Sequence, residues 1–245
     1  MSSISTAKFT DNIKEPLLPG LYIVSTPIGN LKDITLRALD TLKNVDLIAC
    51  EDTRHTGLLL NHYNIKNKLT SFHEYNKKER TPEIISLLKQ GKSVALVSDA
   101  GTPGISDPGY YLIREAIKEN LTIIPIPGPS ALLAALVISG LPSDRFVFEG
   151  FLQKREGRKH KKLESLKTES RTMIFYDSPF RILYSLHDML EVFGDRNIVL
   201  VRELTKKFET VIRGKISGII KELEEKKPKG EIVLIIEGNN ESRPS

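Results

Sequence analysis

The sequence predicts an α/β protein of two domains, and two patterns lead there. Through the first half, short β-rich apolar runs alternate with segments of helical spacing, the signature of strands joined by crossover helices in a mostly parallel sheet. In the second half NIVLVREL and FETVIRG are separated by only a few polar residues, too few for a parallel crossover, so an antiparallel pair and a mixed sheet are expected. A chain of 245 residues that is 40% apolar can supply the cores of both.

Residues 1–17 and 239–245 are polar and aperiodic and read as flexible tails. Strands of the first domain, residues 18–127, are expected at LYIVST, VDLIACE, KLTSFH, SVALVSD and LTIIPIP. Between them Leu112, Ile113, Ala116 and Ile117 show helical spacing, and Thr81-Pro82 and Asp107-Pro108 each place a capping residue before a proline suited to the first helical position. Pro125, Pro127, Gly128 and Pro129 then interrupt the chain, and the domain boundary is set near Pro127. The second domain, residues 128–238, carries strands at RFVFEGF, TMIFYD, NIVLVREL, FETVIRG and EIVLIIEG, with a helix start at Ser178-Pro179.

Composition and missing motifs narrow the chemistry. The single cysteine, Cys50, excludes an intramolecular disulfide and a multi-cysteine zinc site, and the five histidines lack paired ligand spacing, so no metal is expected. With no signal-like or membrane-spanning apolar run, the chain reads as cytoplasmic, without a membrane partner. GKS at residues 91–93 lacks the phosphate-loop glycine, since Ser86 occupies that position. Neither G-x-G-x-x-G nor G-x-S-x-G occurs.

Two glycine-proline loops remain, STPIGN and SDAGTPGISDPG, both after expected strands. Each alone reads as a tight turn. Together they would emerge at the carboxyl ends of parallel strands, where open α/β sheets bind ligands, with glycine permitting close approach of a ligand to backbone. EDTRHT and SFHEYN add Glu51, Asp52, Arg54, His73 and Glu74 to the same rim, equipped either to bind a polyanion and move a proton or to cap helices and pair with one another. The net charge is +5, concentrated in QKREGRKHKK, where Lys154, Arg155, Arg158, Lys159, Lys161 and Lys162 form either a solvated mobile face or a phosphate grip.

The stretches GLYIVSTPIGNLKDITLRALDTLKNVDLIACEDTRHT, SVALVSDAGTPGISDPG, IPIPGPSALLAALVISGLPSDRFVFEGF and RELTKKFE, in that order, closely resemble the ribosomal RNA small subunit methyltransferase I family, of tetrapyrrole-methylase fold. The resemblance implies two α/β domains with a cofactor cleft between them, a homodimer, and transfer of a methyl group from S-adenosyl-L-methionine to the ribose 2′-oxygen of a cytidine in the decoding region of 16S rRNA in the small ribosomal subunit.

On that footing Asp99, Ala100, Gly101, Thr102, Pro103, Gly104 and Ile105 are expected to cradle the donor. Ser130, Ala131, Tyr176, Val201 and Ile232 would complete its site. The general base is sought among Glu51, Asp52 and His73, with Arg54 in support. Pro27, Gly29, Asn30 and Arg181 join the basic segment as RNA-contact candidates. One departure stands out: where the family commonly reads Y-E-S-P-H-R, this chain has YDSPFR, with Asp177 and Phe180 at the altered positions. The rival classes are a small-molecule methylase acting on tetrapyrroles and a non-catalytic RNA-binding assembly protein.

Overall fold

The computed structural model describes residues 17–226 and 228–239; apart from Leu17 and Asn239, the expected tails lie outside the described residues. The chain divides into two compact units. One comprises residues 17–26 with Ile34–Gly128, the other Pro27–Asp33 with the described residues from Pro129 onward.

The first unit runs β1 (Gly20–Val24), α1 (Leu36–Asn44), β2 (Leu47–Cys50), α2 (Thr53–His62), β3 (Leu69–Ser71), α3 (Lys77–Lys89), β4 (Ser93–Val97), α4 (Gly109–Lys118) and β5 (Ile123–Ile126). All pairings are parallel, in the order β3-β2-β4-β1-β5. Because side chains alternate across a strand, Tyr22, Val24, Ile48, Cys50, Ala95 and Val97 pack with α1 and α2, while Leu21, Ala49, Val94 and Leu96 pack with α3 and α4. Helices after β1 and β4 therefore leave adjacent strands on opposite faces. That divergence is a topological switch point, where a crevice opens beyond the carboxyl ends of the strands.

The expected helix start at Thr81-Pro82 is corrected: α3 begins at Lys77, and Pro82 lies inside it. Asn76 initiates the helix, its side-chain oxygen accepting from His73 N at 2.8 Å and its amide donating to Ser71 O at 3.2 Å. Thr81, instead of capping, donates its hydroxyl to Lys77 O one turn back. At the other expected start, Asp107 Oδ1 accepts from Gly109 N at 2.7 Å, the first residue of α4.

The second unit runs α5 (Ala131–Ser139), β6 (Phe146–Phe151), α6 (Glu156–Glu164), β7 (Thr172–Asp177), α7 (Ile182–Phe193), β8 (Asn197–Arg202), β9 (Thr210–Lys215), α8 (Ile216–Glu225) and β10 (Ile232–Ile236). Its sheet, β6-β7-β10-β8-β9, is mixed: β6 and β7 are parallel and the other pairs, including β8 with β9, antiparallel. One face packs α6, α7 and α8 through Leu163, Leu186, Met189, Ile219 and Leu223; the other packs α5 through Leu132, Ala135 and Leu136.

A contiguous division at Pro127 misses the segment Pro27–Asp33, which belongs to the second unit. Ile28 is buried there against Leu136, Val201 and Leu204. Gly29 fits because it has no side chain: a Cβ would stand 2.8 Å from Leu204 O and 2.5 Å from Lys206 Cγ. Among the described residues, no helix is long and apolar enough to cross a membrane.

Candidate functional site

Four loops at the carboxyl edge of the parallel sheet are fastened to one another. After β1, Thr26 pairs with Gly101 after β4 through two backbone hydrogen bonds, Thr26 N to Gly101 O at 2.9 Å and Gly101 N to Thr26 O at 3.0 Å. The Thr26 hydroxyl donates to Ser98 O at 3.2 Å, and the Ser25 and Thr102 hydroxyls share a hydrogen bond of 2.9 Å. These bonds let Ser25, Thr26 and Ser98 be buried without penalty. After β2, Asp52 N donates to Asp99 Oδ1 at 3.1 Å. After β5, Gly128 approaches Ser25 so closely that a Cβ would lie 2.9 Å from Ser25 Cβ.

Within the β4 loop, Gly101 and Gly104 have φ of 81° and 90°, a region that L side chains rarely enter. Asp107 holds this shape: both its carboxylate oxygens lie 2.9 Å from Gly104 N, which donates to them. Asp99, Ala100 and Ile105 remain exposed on the outside of the loop. The result is a turn held at Gly101 by Thr26 and at Gly104 by Asp107.

Glu51, the residue after β2, is half-buried. Burial first, and then the neighbouring charges of Asp107 and Asp99, push its carboxyl up to about 7. Asp107 is also raised by burial, against the opposing hydrogen bonds from Gly104 and Gly109. Asp52 behaves oppositely. It caps α2 by accepting from Arg54 N at 2.8 Å and binds the Arg54 guanidinium through Nε at 3.1 Å and Nη2 at 2.7 Å, which holds its carboxyl far below the usual range. Of the two carboxyl candidates, Glu51 is shifted towards neutrality, while Asp52 is committed to Arg54. The His73 ring buries Nδ1 without a hydrogen-bond partner.

The tetrapyrrole (corrin/porphyrin) methylase family model matches residues 20–220. Ribosomal RNA small subunit methyltransferase I of Thermotoga maritima is 53% identical, covering 89% of this chain and 98% of that one. The protein of the same name from Vibrio cholerae is 53% identical over 94% of this chain and 81% of its own length. This chain belongs to the tetrapyrrole methylase family, in its ribosomal RNA small subunit methyltransferase I branch. A solved uroporphyrin-III-C-methyltransferase from Thermus thermophilus superposes with a TM-score of 0.61 over 89% of this chain and 94% of its own, at 19% identity, a likeness of fold.

Within this methylase, the remaining expected site residues lie in the second unit. Ser130 caps α5 through its backbone, Ala134 N donating to Ser130 O at 3.0 Å, and Ala131 begins the helix. Tyr176 packs edge-on to Phe148 at 4.9 Å between centroids, and burial raises its phenol. Val201 and Ile232 are 0% and 2% exposed, their side chains spent on the two faces of the sheet core. Asn30 N donates to Thr205 Oγ1 at 3.0 Å within the second unit, where Pro27 is half-buried and Gly29 and Asn30 are exposed.

The basic segment, which could be either a solvated face or a phosphate grip, runs into α6 from Glu156 onward. Its helical spacing turns Lys159 onto Asp188 of α7 and Lys162 onto Glu149 of β6, the latter at 2.6 Å. Lys154, Arg155, Arg158 and Lys161 are exposed and make no ion pair among the described residues. Arg181 is drawn inward, its Nη2 3.5 Å from Asp177 and its Nη1 3.3 Å from Leu152 O. Phe180, in the YDSPFR stretch, is 88% exposed.

Sequence reading passed over the bridging of Thr26 to Gly101 and the influence of Asp107 on Glu51. Both require strand order, which no local signal in STPIGN or SDAGTPGISDPG carries.

Proposed function

We propose that this methylase transfers a methyl group from S-adenosyl-L-methionine to the 2′-oxygen of a cytidine ribose in the decoding region of 16S rRNA, acting in the cytoplasm as a homodimer. The observation that carries the catalytic reading is the interlocked carboxyl edge: a pre-shaped backbone turn beside a half-buried carboxyl poised near neutrality. The relatives, named as acting on small-subunit ribosomal RNA, support the choice of substrate.

The residues present suit a cationic donor. Gly101 and Gly104 let the backbone take positive φ values that fix the turn, Ile105 offers an apolar wall at 40% exposure, and Glu51 and Asp99 bring negative charge. When bound, the cofactor supplies an electrophilic methyl on a sulfonium. The loop of Asp99, Ala100, Gly101, Thr102, Pro103, Gly104 and Ile105 would hold the methionine portion. Holding the reactants in line removes much of the barrier.

Glu51 would accept the proton of the ribose hydroxyl, so that its oxygen could take the methyl group that the bound cofactor would supply. A base with a pKa near the working pH serves this best. The assignments of Ser130, Ala131, Tyr176, Val201 and Ile232 to the donor stand as proposals for variant-by-variant titration. At Val201 and Ile232 the side chains are occupied, so only backbone is offered. RNA contact is proposed for Lys154, Arg155, Arg158 and Lys161, with Lys159 and Lys162 contributing once released from their pairs.

Mapping 2′-O-methylated nucleotides in small-subunit rRNA by mass spectrometry, with and without this gene, tests the proposal. Loss of one cytidine methylation supports it. Transfer to uroporphyrinogen or a precorrin instead would identify the small-molecule rival, and absence of donor-dependent labelling the assembly-protein rival.

A further inference from the structure

One cluster in the first unit is left unused by this chemistry. Tyr75 lies between β3 and α3, and Tyr110 and Tyr111 stand in the first turn of α4. Lys77 Nζ is 5.7 Å from the Tyr111 ring centroid, and the Arg114 guanidinium is 5.4 Å from Tyr111 and 6.0 Å from Tyr110. The His73 ring meets Tyr75 edge-on at 6.1 Å. Glu74 and Glu115 hold the cations in place, pairing Lys77 at 2.6 Å and Arg114 at 3.1 Å. Yet Tyr75 and Tyr110 are 96% and 62% exposed.

A single exposed tyrosine needs no explanation. Here Lys77 and Arg114 orient Tyr111 and Tyr110, and Tyr75, just ahead of the helix that carries Lys77, leaves its ring open to solvent. The cluster also borders the proposed donor loop: Tyr110 follows Gly109, whose N–H is bound by Asp107.

We infer that Tyr75, Tyr110 and Tyr111, with Lys77 and Arg114, form a stacking platform for unpaired bases of the RNA strand flanking the target nucleotide. Every base has a π-face, so tyrosines grip a single strand without demanding sequence, while the paired cations hold the rings in place. A ribose 2′-oxygen reaches an enzyme only when its nucleotide leaves the helix, which exposes neighbouring bases to such a surface. An apolar protein partner would favour aliphatic side chains over this mixture of phenols and cations. The inference rests on the RNA reading above.

The chain has seven tyrosines and no tryptophan, so tyrosine emission reports stacking directly. Titration of the full-length protein with oligocytidylate and with purified small ribosomal subunits is expected to quench that emission. The double variant Tyr75→Ala/Tyr110→Ala should bind both probes roughly ten- to a hundredfold more weakly, from typical base-stacking strengths. Tyr75→Phe/Tyr110→Phe should bind like the parent, and donor binding should be unchanged in both. If the alanine variant, folded by circular dichroism, binds RNA and methylates rRNA like the parent, the platform is refuted while the RNA reading stands. If only subunit binding weakens and oligocytidylate binding is intact, the patch docks a protein and the stacking inference falls. If the parent itself methylates no rRNA, the RNA reading fails and takes the platform with it.

Discussion

The two units each hold a five-stranded sheet with helices on both faces, but their edges differ. In the first, every strand runs the same way, so the loops after β1, β2, β4 and β5 meet at one edge and fasten together through Thr26, Gly101, Asp99 and Gly128. In the second, antiparallel pairing sends successive strand ends to opposite edges, and charged residues such as Lys159 and Arg181 are consumed locally in ion pairs with Asp188 and Asp177. A parallel sheet thus concentrates loop chemistry by direction alone, whereas a mixed sheet spreads it.

If this contrast reflects where the chemistry lies, the largest effect belongs to Glu51. Glu51→Gln should lower kcat by roughly a hundred- to ten-thousandfold with little change in donor affinity, the range for loss of a general base. In the parent, single-turnover rates should rise with pH through about 7 as Glu51 ionises. Its stability linkage has the opposite sign. A carboxyl raised in the folded state favours folding while protonated, so its contribution is lost as pH rises from the ordinary glutamate range through about 7. Thermal melts at pH 8 should therefore show Glu51→Gln more stable than the parent, by about 1 kcal/mol once solvent screening of a half-exposed group is allowed for.

Next in size is Asp107→Ala, which removes the acceptor of Gly104 N and Gly109 N and should cost about 2–3 kcal/mol in denaturant melts, with weaker donor binding by calorimetry. The milder Asp107→Asn deletes a negative charge beside Glu51, so the rate profile should move to lower pH; an unmoved profile would separate Asp107 from the site.

Breaking the comparison from the other side, reversal of Lys154, Arg158 and Lys161 to glutamate should reduce small-subunit affinity and flatten its salt dependence, because these exposed cations make no ion pair among the described residues. Lys159→Gln should instead act on stability, through Asp188. Smallest is Thr26→Val, which keeps the backbone bridge to Gly101 but loses the bond to Ser98 O, at about 1 kcal/mol by equilibrium unfolding.

Much of the fold was legible because it is local. Short β-rich apolar runs marked the ten strands of the described residues, and the short gap between NIVLVREL and FETVIRG foretold the antiparallel β8–β9 pair. The glycines and prolines of SDAGTPGISDPG marked a constrained loop before any neighbour was known. Local signals misled where a stronger partner intervened: Asn76 began α3 before Pro82 could, and burial of Ile28 drew Pro27–Asp33 into the second unit.

By itself, then, the amino-acid sequence determined the strands and helices, the mixed character of the second sheet and the tight loops, since each depends on residues near one another along the chain. Only the tertiary structure decided that β1 lies beside β4, and with it that Thr26 clasps Gly101, that Asp107 and burial raise Glu51, and that Lys159 and Lys162 find carboxylates. Those outcomes depend on pairings between distant segments, where the free energy of burying a whole sheet outweighs the preferences of any single loop.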